Sequence, residues 1–492
     1  MDFDLKPLWS DFSYKEHQVA GVKWMMERED MVPSGGLLCD EMGLGKTIEI
    51  LGLLVNKKKA NTLLLCPKAV ISQWLLAAKR SRINCCEVSG DSWSKPSPFF
   101  VGRPFLFITN YEKVPLKPAL FATHSWDRVV LDEAHKAKNR TGNLWKKIHA
   151  LPKKSMWCVT ATPIVNDLKD LRNLFGLVGY DVHQLTNYST LLQVVSQALL
   201  HRSMEEMRPI LPELPDAPNI VKKELDFMNE EEAEFYRGVQ GILMRRWKAL
   251  PRDSFTAKFA LLMRLRQLSV HPQVYINARR KGIVPYERED FEMPSTKFTT
   301  LRNILREDPV HKKWIVFCQF HDEMDLLEAF LSKNSNVGRI QMYHGGMKDT
   351  EKEEAIKKTH ETVVGGHDIL LVQLQSGGVG LNLQHFSRVI FMSPWWTAAL
   401  MDQAIGRAVR IGQREEVEVT LLLLKEESSL NIDDAMIQKA EAKRDLLTNI
   451  FRHANKGFVS DEDIEDEVED SPAEEHSDEE EDPIGEEEGV TV

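Results

Sequence analysis

Three groups of residues in this 492-residue chain have types and spacings suited to phosphate chemistry. In "GGLLCDEMGLGKTIEI" (residues 35–50) an apolar strand runs into a helix through Gly43, Leu44, Gly45, Lys46 and Thr47. Backbone N–H groups of such a loop, with the helix N-terminus behind them, cradle phosphates; Lys46 would pair with the β- and γ-phosphates, and the Thr47 hydroxyl would ligate magnesium. Asp40 stands five residues before Gly45, where the usual phosphate-loop pattern has glycine. The second group is Asp132-Glu133, closing the apolar run of "RVVLDEAH" (128–135). At the end of a strand neighbouring the loop, Asp132 can hold the Mg²⁺ shell while Glu133 polarises the water that attacks a phosphoanhydride. The third is "DQAIGRAVRIGQ" (402–413), whose spacing puts Arg407 and Arg410 on one helical face. Guanidinium groups delivered across a cleft stabilise the charge that develops on a transferred γ-phosphoryl group. Together the three groups describe hydrolysis of a phosphoanhydride assisted by Mg²⁺.

Elements able to position such residues are legible along the chain. Short apolar runs recur at "TLLLCP" (62–67), "PFLFIT" (104–109), "RVVLDEAH" and "MWCVTAT" (156–162), separated by helix-like stretches. Continuous rather than alternating runs indicate strands buried on both faces, which means a parallel sheet covered by helices. After Pro209 longer helical segments take over, and a second strand series follows: "KWIVFCQF" (313–320), "RIQMYHG" (339–345), "DILLVQ" (368–373), "RVIFMSP" (388–394) and "VEVTLLLL" (417–424). The expected fold class is α/β, with two lobes of parallel sheet flanked by helices. The division expected is a first, ATP-binding lobe over 1–208, a helical insert and linker over 209–296, a second lobe over 297–431, a bracing helix over 432–456 and a disordered acidic tail over 457–492.

Composition limits the alternatives. Apolar residues make up 42% of the chain, enough for two cores. The six cysteines, at 39, 66, 85, 86, 158 and 318, show neither a disulfide framework nor zinc-ligand spacing. No apolar run approaches the roughly 20 residues a bilayer needs, and no basic-then-apolar leader opens the chain, so neither secretion nor membrane spanning is expected. The formal charge of -11 is concentrated: residues 461–492 hold 18 Asp or Glu and no Lys or Arg. Elsewhere 63 basic residues face 56 acidic ones, a net +7 that suits contact with phosphates.

The motifs and their order resemble the Swi/Snf family of helicase-like ATPases in helicase superfamily two. The resemblance rests on "HQVAGVKWM", "DEMGLGKT", "LLLCPKAVISQW", "ITNYEKV", "VVLDEAHKAKN", "VTATPIVNDL", "LRQLSVHPQ", "IVFCQF", "YHGGM", "SGGVGLNLQ", "MSPWW" and "DQAIGRAVRIGQ", spread over nearly the whole chain. It implies two RecA-like lobes and ATP-driven translocation along double-stranded DNA, without strand separation, to move nucleosomes or displace bound proteins. It implies that Gln18 reads adenine, that Gly378 and Gln403 line the nucleotide site with Gly43 and Gly45, and that Gln403, Arg407 and Arg410 complete it from the second lobe. It also implies DNA contacts at Lys68, Asn110, Tyr111, Asn382 and Trp396. RNA helicases share the letters Asp132-Glu133-Ala134-His135 but differ in the phosphate loop and the arginine motif. Val409, Ser376 and Thr397 stand where the family commonly has histidine, alanine and asparagine. The double tryptophan points to the branch of damage-tolerance and transcription-termination motors, although residues 274–297 hold no cysteine for that branch's zinc module. A transcription-termination ATPase, a repair translocase, an ATP-switched DNA-binding scaffold and an RNA helicase are the competing readings. The expected setting is the nucleus, or the site of viral DNA transcription if the source is a virus, and the expected state is a monomer. The acidic tail would meet nucleosomes or histones, or compete with DNA.

Overall fold

The structure is a computed structural model that describes residues 4–88, 104–251, 253–308, 310, 312–363, 365–377, 381, 383–410, 412–426 and 431–454. The described residues form two compact units: those up to Leu211 together with residues 443–454 make the first, and those within Pro212–Ala442 make the second.

The first unit is built on seven parallel strands: β1 (Gly35–Leu38), β2 (Asn61–Cys66), β3 (Asn84–Glu87), β4 (Phe105–Asn110), β5 (Trp126–Asp132), β6 (Lys153–Val159) and β7 (Leu199–Leu200). Their order is β3-β4-β2-β5-β6-β1-β7. Successive residues of one strand enter opposite cores, as the two-residue period of a strand dictates. Leu63 and Leu65 join one cluster while Leu64 and Cys66 join the other, and Val129 and Leu131 are likewise separated from Val130. Three helices matter for the site: α1 (Glu16–Arg28), α2 (Lys46–Asn56) and α3 (Ile71–Arg80). α2 is anchored by Ile50, Leu51, Leu53 and Leu54, all buried.

The second unit has six parallel strands: β8 (Asn219–Leu225), β9 (Lys313–Cys318), β10 (Val337–Tyr343), β11 (His367–Gln373), β12 (Arg388–Phe391) and β13 (Glu418–Leu424), in the order β10-β11-β9-β12-β13-β8. Ile315 and Phe317 face one apolar cluster and Trp314, Val316 and Cys318 the other.

This arrangement differs from the division expected from sequence. Residues 209–296 are not a separate insert, because β8 pairs with β13 along its whole length. The helices Glu230–Ala249, Phe255–Val270 and Pro272–Arg280 pack through Tyr236, Leu243, Leu268 and Ile276 into a cluster with Leu424, Ile432 and Met436 of the same unit. "NIVKKEL" conceals its strand because β8 is an edge: its first six residues are exposed, and Lys222 and Lys223 interrupt the apolar pattern that marks the interior strands. The helix Ile432–Phe451 gives its first turns to the second unit and places Ile450, at 0% exposure, in the core of the first. Among the described residues no helix is long and apolar enough to cross a membrane. The acidic tail lies outside the described residues.

Candidate functional site

Between β1 and α2 the chain turns through Gly43 at φ +94° and Gly45 at φ +95°. Both angles lie in the left-handed region that L side chains disfavour. A Cβ on Gly45 would also come within 2.5 Å of Gln18 Nε2, the end of a flexible side chain that could shift, so the backbone angle is what favours glycine there. Gly45 caps α2, whose N-terminus therefore faces the loop. Lys46 Nζ donates to the carbonyls of Asp40 at 2.6 Å and Glu41 at 3.2 Å, which folds its ammonium over the loop. Thr47 is exposed one residue further on.

α1 closes over this loop. His17 Nε2 lies 2.8 Å from the Leu44 carbonyl, and Gln18 Nε2 donates to the same oxygen at 3.3 Å while its Oε1 accepts from Lys15 N. Gln18 is thus buried against the phosphate loop itself, with its amide committed to main-chain partners.

Asp132 ends β5, but β5 is not the immediate neighbour of β1: β6 lies between them, correcting the expected placement. The carboxyl ends of all three strands share one edge of the parallel sheet, where ligands of open α/β sheets bind. Burial, reinforced by adjacent Glu133, pushes the Asp132 carboxyl up to about 6, opposed by a hydrogen bond from Trp74 and by the charge of Lys46. The Lys46 ammonium and the Asp132 carboxylate therefore lie within one another's field. Trp74 Nε1 donates to Asp132 Oδ2 at 2.7 Å, and Tyr111 OH donates to the Asp132 carbonyl at 2.7 Å. Glu133 adopts φ +57°, a strained setting for a non-glycine residue and a common one at functional sites. His135 Nδ1 lies 3.1 Å from Thr160 Oγ1 and 3.4 Å from Glu133 Oε2. Burial, followed by Lys136 and Lys138, pushes the imidazole down to about 3, so a neutral ring rather than an imidazolium faces Glu133.

Beneath the loop lies a buried ion cluster that sequence reasoning missed. Arg202 Nε reaches both Asp40 oxygens at 3.1 and 3.0 Å, and its Nη2 reaches Glu49 Oε1 at 2.6 Å. It also donates to the His17 carbonyl. The Asp40 and Glu49 side chains are both fully buried. Burial, then the nearby Asp40, holds the Glu49 carboxyl well above its ordinary range. The acid standing where a phosphate loop commonly has glycine was the available signal, since a buried carboxylate demands a partner. Sequence spacing could not supply Arg202, which lies 162 residues away.

Three expected contacts acquire a different setting. Tyr111 is 2% exposed and spends its hydroxyl on Asp132, so its side chain supports the acid instead of reaching a duplex. Trp396 is half-buried against two neighbours: its ring centroid is 4.3 Å from that of Trp395, with the planes tilted by 30°, and the Arg266 guanidinium carbon lies 4.5 Å from it. Arg407 and Arg410 do not share a helical face, because their helix is Ala398–Ile405 and both follow it in turns. Arg407 is buried and Gln403 is 7% exposed on that helix. Lys68 is exposed at the carboxyl end of β2 and Asn110 closes β4. Gly378 and Asn382 lie outside the described residues. Of the three departures, Val409 fills the second unit's core, Ser376 donates to Gln373 Oε1 at 3.0 Å, and Thr397 is buried at the start of the Ala398–Ile405 helix.

The oxygen donors present suit magnesium. Mg²⁺ takes hard oxygen ligands and commonly only one or two from protein, the rest being phosphates and water, so the Thr47 hydroxyl and the Asp132 carboxylate make a fitting set. A parallel α/β unit with a lysine-bearing glycine loop and an acidic pair at the sheet's carboxyl edge, followed by a second such unit, defines the class of two-lobed, helicase-like nucleoside triphosphatases. Residues 17–312 match the SNF2-related domain and residues 296–412 the helicase conserved C-terminal domain. The chain belongs to the SNF2-related family and is an ATPase of the helicase-like kind.

Among its relatives, a probable global transactivator of Orgyia pseudotsugata multicapsid polyhedrosis virus is 26% identical over 89% of this chain and 91% of its own length. The nuclear protein STH1/NPS1 of Saccharomyces cerevisiae is 25% identical over 88% of this chain. A human SWI/SNF-related matrix-associated actin-dependent regulator of chromatin, subfamily A member 1, is 25% identical over 87%. The chain spans 34% and 43% of the latter two proteins. A solved Sulfolobus solfataricus SWI2/SNF2 ATPase core in complex with dsDNA is similar over 92% of this chain and 99% of its own, at 21% identity and a TM-score of 0.41, too distant for any residue to be carried across.

Proposed function

We propose that the chain is an ATP-dependent translocase on double-stranded DNA that remodels nucleosomes or displaces other DNA-bound proteins. The observation that carries this reading is that the Lys46 loop and Asp132 lie at the carboxyl edge of one sheet, with Lys68 following β2 and Asn110 ending β4 at the same edge, in a chain of the SNF2-related family. In the reaction, Gly43, Gly45 and Lys46 hold the phosphates and Glu133 orients water and accepts its proton as the β–γ anhydride opens to ADP and phosphate. Thr47 and Asp132 would hold Mg²⁺, which neutralises phosphate charge when bound. Gln403, Arg407 and Arg410 are further groups that act on the nucleotide during hydrolysis. Gln18 meets adenine at the cost of its bond to Leu44. Lys68, Asn110 and the exposed part of Trp396 contact the duplex; Asn382 and Gly378, which the resemblance assigns to duplex and nucleotide, lie outside the described residues.

A second reading, action on a transcribing polymerase, is favoured by the near full-length match to the viral protein described as a transactivator. The same motor serves both, acting in the nucleus or at a site of viral DNA transcription. Translocation is tested by displacement of a third strand annealed to duplex DNA. ATP-dependent displacement with the duplex left paired supports the translocase; separation of the duplex itself would make the chain an unwinding helicase instead.

A further inference from the structure

Asp132 is held from two sides by donors that belong to neither its own strand nor the phosphate loop. The sheet order β4-β2-β5 places the carboxyl ends of these strands side by side. The chain leaving β2 makes the short helix Lys68–Val70 and then α3, whose Trp74 returns its indole N–H to the Asp132 carboxylate at 2.7 Å. The chain leaving β4 passes from Asn110 directly to Tyr111, whose hydroxyl reaches the Asp132 main-chain carbonyl at 2.7 Å. Trp74 is 3% exposed and Tyr111 2%, so both donors are screened from water, where a hydrogen bond fixes geometry most firmly. Each lies on a segment that also carries a polar residue close to the carboxyl end of its strand, Lys68 after β2 and Asn110 at the end of β4. Lys68 is exposed six residues before Trp74, and the Asn110 Oδ1 is buried with no hydrogen-bond partner among the described residues.

We propose that Trp74 and Tyr111 are positioning residues through which duplex DNA on the Lys68 and Asn110 loops sets the placement of Asp132, and so the rate of hydrolysis. The inference rests on the translocase reading above. A carboxylate in a hydrolytic site needs only a small displacement to lose its function, since misplacement by about 1 Å can cost roughly 10²-fold in rate. Two loops that each grip Asp132 therefore have the leverage to switch it.

The test is the ratio of ATP turnover at saturating duplex DNA to turnover without DNA, measured in the full chain for wild type, Trp74→Phe, Tyr111→Phe and the double variant. Both substitutions keep an apolar ring and remove the donor. The expected result is at least a fivefold fall in that ratio for each single variant, with the duplex dissociation constant unchanged within about twofold. A purely structural role would lower both turnovers by the same factor, and a ratio within twofold of wild type would overturn the proposal. If Trp74→Phe does not fold, Tyr111→Phe decides alone, because it removes one oxygen and leaves the ring. A wild-type ratio near one would sink the duplex reading and the proposal with it, whereas strong wild-type stimulation with equally stimulated variants sinks the proposal only.

Discussion

Among the described residues Lys46 hydrogen-bonds main-chain carbonyls of its own loop, so Lys46→Ala should remove hydrolysis while leaving the fold intact. A complete loss of turnover without a shift in unfolding midpoint is the outcome to check. Arg202 behaves oppositely. Its guanidinium is the shared partner of two fully buried carboxyl side chains, and removing one partner of a buried ion pair costs about 3–5 kcal/mol. Arg202→Met should therefore lower the urea midpoint of the first unit and weaken ATP binding, because Asp40 also supplies the carbonyl that receives Lys46. Glu323 gives a pH-dependent prediction in the second unit. It is fully buried, accepting from the N–H groups of Gln319 and Phe320, and burial pushes its carboxyl up to about 7 from an ordinary 4.5. The folded state thus holds a proton that the unfolded chain releases between those values, so this residue's contribution to stability falls as pH rises from about 4.5 to 7. In Glu323→Gln that slope should vanish, and the variant should gain on wild type by on the order of 3 kcal/mol between pH 5 and pH 8. Parallel stability curves for the two proteins would contradict it.

At the scale of elements, the helix Ile432–Phe451 provides the sharpest prediction. Ile450 is packed in the core of the first unit, and Leu446, Leu447 and Phe451 lie against the same cluster. Ile450→Ala should destabilise that unit by about 2–5 kcal/mol, the range for emptying a buried aliphatic site, seen as an earlier thermal transition. An unchanged transition would mean the helix end does not pack there. The elements that sequence reading recovers are those with a local signature. "TLLLCP" and "KWIVFCQF" announce interior strands because both faces of a covered parallel sheet must be apolar, and Gly43 to Thr47 announces a phosphate loop because the turn itself needs glycine. β3, with "NCCE", and β8, with "NIVKKEL", lack that signature because edge strands are short or charged. The site divides in the same way. Lys46 and the Asp132-Glu133 pair are legible as motifs, whereas Arg202 and the donors Trp74 and Tyr111 become visible only when the sheet brings distant segments together. The interposed β6 and the end of the helix at Ile405, before the two arginines, escaped for a related reason: strand order and helix ends are settled by packing rather than by residue spacing.

For the molecule as a whole, charge is divided between a body of net +7 and a terminal segment, 461–492, that is wholly acidic among its charged Asp, Glu, Lys and Arg residues. If that segment competes with DNA, deleting it should tighten duplex binding and raise turnover without DNA. If it meets histones instead, deletion should weaken nucleosome binding and leave naked duplex binding unchanged. Duplex affinity itself should fall as salt rises, since phosphate contacts release counterions. The central claim is that ATP hydrolysis serves movement on duplex DNA, and the most direct test is the steady-state ATPase rate of the full chain with no nucleic acid, double-stranded DNA, single-stranded DNA or RNA, at low and moderate salt. Strong stimulation by the duplex is expected, with weaker stimulation by either single strand and none of it in Lys46→Ala. Stimulation by RNA alone, or equal rates under all four conditions, would contradict it.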